Sequence, residues 1–284
     1  MELQGLHGQV VDRIGESMAA GEIRAGEVLR LEDVQARYGV SRTVAREAVR
    51  VLESNRLVTS RPRVGITVRP MAEWNLYDPQ VIRWRLASPY REAQLRELSE
   101  LRAAVEPLAA SLAAAGADQE VRETLLVHAR EMADAAQAGD GKPFIAADAA
   151  FHRTLPAASG NAMFAQLAEV TAELLVSRHV LSLMPDEIDV SAVRQHVQVA
   201  DAVAAGRPEE AARCVREILV LARGEVERIL EDGSAGAPGA VGSTGSAGGA
   251  GCRFQLVGRC PARAYDRAHD ATLHAPTAGA LQRV

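Results

Sequence analysis

The segment IAADAAFHRTL, residues 145–155, places Asp148 four residues before His152 in a run without proline or glycine. On a helix, positions i and i+4 share a face, so the carboxylate and the imidazole point the same way. Such a pair can grip a divalent metal, form half of an acid–base couple, or serve as an ordinary polar patch. The pair alone leaves all three open. A second group is more directional. In SRTVAREAVRVLES, Arg42, Arg46 and Arg50 recur every fourth residue, opposite an expected buried stripe of Val44, Ala45, Ala48, Val49 and Leu52. Ser41 and Thr43 stand at the start of that helix. A guanidinium can hold guanine O6 and N7 with two hydrogen bonds, and hydroxyls reach phosphates. A helix that presents these groups at its N-terminal end suits the major groove of DNA. Arg61 and Arg63, beside Gly65, are placed to reach the neighbouring backbone or the minor groove.

The charge distribution agrees. The chain of 284 residues carries a formal net charge of −5. Residues 42–69 hold seven arginines against Glu47 and Glu53, a charge of +5, which leaves −10 for the remainder. A basic module joined to an acidic body points to a polyanion partner for the module.

Several elements must position these groups. Leu3, Leu6, Val10, Ile14 and Met18 have helical spacing, closed by Gly21. LEDVQARY forms a second helix, with Glu32 and Asp33 in its first turn and Gly39 after it. Ser41 caps the third. RLVTS and GITVR, rich in β-branched residues, form a hairpin around RPRV. Helix, helix, turn, helix and hairpin over residues 1–70 make a winged helix-turn-helix. Residues 71–90 form a connector with a short helix after Pro79, packed onto the domains through Trp74 and Trp84. Residues 91–232 are helical throughout, with Leu95, Leu98, Leu101, Val105, Leu108 and Leu112 expected on one buried stripe. Further helices are expected near 118–137, 142–158, 161–183, 188–205 and 208–231, which makes a mainly α chain with an all-α bundle as its second domain. Residues 233–284 begin as a glycine-rich linker and are expected to be a flexible tail. In that tail, Cys252, Cys260, His269 and His274 do not complete a zinc spacing.

The longest apolar runs are too short for a membrane span, and the N-terminus lacks the features of a secretory signal. With three cysteines and no CxxC pair, the expected location is the cytoplasm. A metal-dependent hydrolase on the bundle is the alternative reading of the Asp148–His152 pair. No HExxH, GxSxG or phosphate-loop motif accompanies it.

The stretch GVSRTVAREAVRVLESNRLVTSRPRVGITV resembles the winged helix of GntR-type transcription regulators. LRAAVEPLAASLAA, DAAFHRTL, SGNAMF and RQHVQVADAVAAGRPEEAA resemble, in order and spacing, the FCD effector domain of the FadR subfamily. WNLYDPQVIRW is further similar to regulators of sugar-acid catabolism of the galactonate-repressor kind. The resemblance covers residues 1–231. It implies a homodimeric repressor on a palindromic double-stranded operator, released by a small carboxylic acid or sugar acid. One departure bears on the operator: the family often has a base-contacting arginine where this chain has Glu32.

For the effector domain the resemblance implies a divalent metal held by one Asp and three His. Asp148, His152 and His196 match three of these positions, and Ile218 occupies the fourth. Two readings stay open. Three ligands hold zinc or nickel weakly, with water or the effector completing the shell, or the metal is lost and the cavity binds a carboxylate directly. Arg102 matches a position facing the cavity and could clamp a carboxylate, with Arg178 as a lesser candidate. His179 matches no ligand position.

Overall fold

The computed structural model describes residues 6–181 and 188–235. Leu3 and residues 236–284 of the expected flexible tail lie outside the described residues, while residues 233–235, placed in that tail from the sequence, continue the last helix. The N-terminal half begins with α1 (Leu6–Ala19), the short strand β1 (Val28–Leu29), α2 (Leu31–Tyr38) and α3 (Arg42–Ser54). It closes with β2 (Val58–Arg61) and β3 (Gly65–Val68). Gly39, at φ 64°, takes the left-handed conformation that ends α2, and the Ser41 hydroxyl accepts a hydrogen bond from the Val44 amide to start α3.

Val10, Ile14 and Met18 of α1 pack with Ala45, Ala48 and Leu52 of α3 in one apolar cluster. Val44, expected inside the stripe, is only half-buried at its edge. The strands form an antiparallel sheet in the order β1-β3-β2. β1 was not anticipated, because two residues show no alternation. A Cβ on Gly65, which has φ 112°, would lie 2.9 Å from Val28 Cγ1 and 3.0 Å from the Leu29 carbonyl oxygen, so glycine lets β1 close on β3.

A 3-10 turn at Met71–Glu73 leads to α4 (Pro79–Leu86), capped by the Asp78 carboxylate. This helix joins the two halves. Trp84 is buried against α1, where its indole N–H donates to Asp12 Oδ1 at 2.9 Å. A Cβ on Gly15 would come within 2.4 Å of the Trp84 ring, so only glycine admits this approach. Ile82 and Leu86 face the other way and pack with Leu95, Leu98, Val170 and Leu174.

The bundle consists of α5 (Arg91–Gly116), α6 (Gln119–Ala138), α7 (Gly141–Ala158), α8 (Ala162–Val180), α9 (Val190–Ala204) and α10 (Pro208–Ala235). Its core is rich in alanine: Ala110, Ala113, Ala129 and Ala200 sit among Leu125, Met132 and Phe151, which lets the helices approach closely. The expected stripe on α5 needs correction. Leu95 and Leu98 are buried, but Leu108 is 52% and Leu112 37% exposed. The inward face instead continues through Arg102, Glu106, Ala109, Ala110 and Ala113. Two i, i+3/i+4 rows run side by side on this helix, and hydrophobicity alone favoured the leucine row. The alanine row faces inward because its helix neighbours need small partners. No described helix is long and apolar enough to cross a membrane.

Candidate functional site

Two features gather the polar chemistry. The first is the outer face of α3. Ser41, Arg42, Thr43, Arg46 and Arg50 are all exposed, while Ala45, Ala48, Val49 and Leu52 are buried. Arg50 pairs with Glu47 at 2.5 Å, which offsets its charge, whereas no ion pair is recorded for Arg42 or Arg46 among the described residues. Arg61 and Arg63 are exposed beside Gly65 at the turn between β2 and β3, Arg63 with a left-handed φ of 66°.

The second is a cavity of about 270 Å³ within the bundle. Asp148 and His152 of α7 and His196 of α9 are all buried there. Their ligand atoms form a tight triangle. His152 Nε2 lies 3.1 Å from His196 Nε2. Asp148 Oδ1 lies 3.2 Å from His196 Nε2 and 3.5 Å from His152 Nε2. Nitrogen and oxygen ligands held ~2.0–2.1 Å from a tetrahedral zinc stand about 3.3 Å apart, so the triangle has the dimensions of one face of such a site.

The protons point to the same conclusion. His196 Nδ1 lies 2.7 Å from the Ala192 carbonyl oxygen, which can only accept, so Nδ1 carries the hydrogen. His152 Nδ1 faces Glu106 Oε2 at 3.0 Å and donates to that carboxylate. In the neutral rings both Nε2 atoms therefore present lone pairs to each other and to Asp148. Two acceptors at 3.1 Å repel unless a proton or a cation lies between them. A carboxylate or carbonyl behind each imidazole is the usual support of metal-bound histidine. The residues present fit a divalent metal.

Glu106 was missed in the sequence. The signal was Arg102 and Glu106 at i, i+4, the spacing that singled out Asp148 and His152. Arg102 is buried and already clamps a carboxylate, that of Glu106, through Nε at 2.5 Å and a terminal nitrogen at 3.3 Å. That same terminal nitrogen stands 3.4–3.5 Å from the His152 ring nitrogens. Burial alone would raise the Glu106 pKa. The Arg102 charge and His152 outweigh it and bring the carboxyl down to about 2. Burial likewise acts to raise Asp148, but a hydrogen bond from His196 and the charges of His152 and His196, which exist when these rings are protonated, together with that of Arg102, lower it below the usual carboxylate range. Both groups are therefore anionic at neutral pH.

Arg178 of α8 is buried, lines the cavity and lies 3.5 Å from Glu225 of α10. Around the cavity, two guanidiniums (Arg102, Arg178) face four carboxylates (Glu106, Asp148, Asp189, Glu225), a charge of −2. A divalent cation at the triangle would neutralise this. Ile218 is buried and lines the same cavity, where a fourth ligand was expected. His179, which matched no ligand position, also lines the cavity but is exposed.

Residues 6–68 match the gntR family of bacterial regulatory proteins, and residues 97–221 match the FCD domain. The chain is 30% identical over 205 residues to a probable D-xylose utilization operon transcriptional repressor of Paenarthrobacter nicotinovorans, covering 71% of this chain and 80% of the relative. It is 26% identical to the galactonate operon transcriptional repressor of Escherichia coli K12, covering 69% and 85%. Among solved structures, the regulator Lar, which controls expression of the Listeria monocytogenes agr system, aligns with a TM-score of 0.55 at 17% identity, covering 81% of this chain and 100% of Lar. That likeness concerns the fold.

Proposed function

Since the chain belongs to the gntR family of bacterial regulatory proteins and carries an FCD domain, we propose that it represses a catabolic operon and leaves its operator when a small carboxylic acid or sugar acid enters the bundle cavity. It is a ligand-responsive transcription regulator, not an enzyme, and the hydrolase reading of the Asp148–His152 pair falls with that assignment. The names of the xylose and galactonate repressors support a carbon-source signal.

The observation that carries the reading is the convergence of Asp148, His152 and His196 beside Arg102 and Arg178 in one buried cavity. Asp148, His152 and His196 would hold a divalent metal, with Glu106 and the Ala192 carbonyl orienting the two imidazoles. When bound, the ion would supply a Lewis-acidic anchor for an effector oxygen. Arg102 and Arg178 would balance the effector's charge. Ile218 leaves the protein one ligand short, so metal is expected below full occupancy, zinc or nickel being favoured by the imidazoles. Ile218→His should raise zinc affinity at least tenfold, or ~1.4 kcal/mol, as measured by competition with a chromogenic chelator. An unchanged affinity would take residue 218 out of the metal's reach.

A route from cavity to DNA-binding half supports the coupling. α8 contributes Leu175 and Arg178 to the cavity. Two residues before Leu175, Glu173 accepts from Arg83 Nε of α4 at 3.2 Å. On α4 the next residue is Trp84, seated on α1. An effector that prefers one pose of α8 would thereby shift α4 and the winged helix with it. Leu108 and Leu112 on α5 and Val220 on α10, exposed on two helices that pack together, support burial against a second copy. A twofold dimer would read a palindromic operator.

The test is a gel-shift titration on the DNA upstream of the protein's own gene, with zinc present and a panel of carboxylic acids. Specific binding relieved by at least one acid is expected. Binding indifferent to every acid would overturn the sensor reading.

A further inference from the structure

Resting on the reading that this cavity takes a carboxylate, we propose that its effector is a monocarboxylic acid with a compact aliphatic body, not a polyhydroxylated sugar acid. The buried polar groups of the cavity are already engaged. Arg102 is held by Glu106, Arg178 lies against Glu225, and His196 Nδ1 donates to the Ala192 carbonyl. What they leave is one anion-binding end formed with the Asp148–His152–His196 triangle. The remaining described lining is chiefly apolar, with Phe144, Ile145, Leu175, Ile188, Ile218 and Leu221, and its polar exceptions, His179 and Asp189, are both exposed. No serine, threonine, asparagine, glutamine or tyrosine is among the described lining residues.

An aldonate of five or six carbons carries four or five hydroxyls beside its carboxylate. A hydroxyl buried without a partner costs about fivefold to 150-fold in affinity, and among the described lining residues only the exposed His179 and Asp189 lie outside the buried charged cluster and could answer them. A methylene against the same walls gains roughly fourfold. The volume agrees, since 270 Å³ equals the space of about nine waters, which suits an acid of roughly six to ten non-hydrogen atoms. Isoleucine at 218 fits this ligand as well: it removes a polar group from the wall and adds an apolar one.

The test is calorimetric titration of the full-length protein, in excess zinc, with two series of monoanions. One series runs from propanoate through butanoate and pentanoate to 4-methylpentanoate, with its 2-hydroxy analogue. The other contains gluconate and galactonate. The expected result is a rise of about threefold to fourfold per added methylene, and binding of 4-methylpentanoate or its 2-hydroxy analogue at least tenfold tighter than either aldonate. Leu221→Gln changes a residue that is 38% exposed on α10, so the fold is not at stake. This variant should narrow that gap by adding a carboxamide to the wall. An aldonate that binds as tightly as the aliphatic acids overturns this inference and leaves the carboxylate reading standing. If no acid of either series binds, the carboxylate reading itself is lost.

Discussion

Arg42→Ala and Arg46→Ala should each weaken binding to the specific operator by about 1–3 kcal/mol, roughly fivefold to 150-fold. Both side chains leave the exposed face of α3, within its first five residues, and the buried alanines behind them fix that face outward. The effect should concentrate on specific DNA, because a lost bidentate base contact removes discrimination and affinity together. Arg50, offset by Glu47, should matter less. Arg61→Ala and Arg63→Ala should weaken all sequences alike and flatten the dependence of log affinity on log salt by about one unit each, as phosphate contacts do. Fluorescence anisotropy on operator and scrambled duplexes at several salt concentrations separates the two behaviours. Unchanged operator affinity in both α3 variants would mean that this helix does not enter the groove.

Asp148→Asn should cut metal affinity by at least ~100-fold. Loss of an outer partner of a ligating histidine already costs about 10–100-fold, and here a charged ligand is itself removed. The amide keeps the carboxylate's size at a buried position, so the fold should survive and DNA binding without effector should persist. The release by acid should be lost, because the cavity no longer holds the cation that would anchor the anion. Elemental analysis of the purified variant and a gel shift with and without effector provide both readouts. Native metal content in Asp148→Asn would remove the triangle from the metal site. Metal loss with release intact would assign the effector to the arginines alone.

Much of this molecule was legible locally. The cap at Ser41, the left-handed Gly39 and the four-residue repeat of Arg42, Arg46 and Arg50 are properties of neighbouring residues, and local sterics and hydrogen bonding suffice to set them. The same is true of Asp148 and His152, whose shared face follows from one helical turn. Where two local patterns competed, the sequence was ambiguous. On α5 the leucine row was the more hydrophobic, yet the row containing Arg102, Glu106 and Ala110 turned inward, because helices that cross closely need small side chains between them. His196 entered only through a family resemblance, since no spacing rule connects it to a residue 44 positions earlier.

The sequence by itself therefore determined the helices, the basic outer face of α3 and two members of the buried triangle, Asp148 and His152. Only the tertiary structure decided that Glu106 stands behind His152, that His196 Nε2 meets His152 Nε2 at 3.1 Å, and that Trp84 rests on Gly15. Each of these depends on how separate helices pack, and packing is set by the summed fit of many side chains, with no local pattern to announce it.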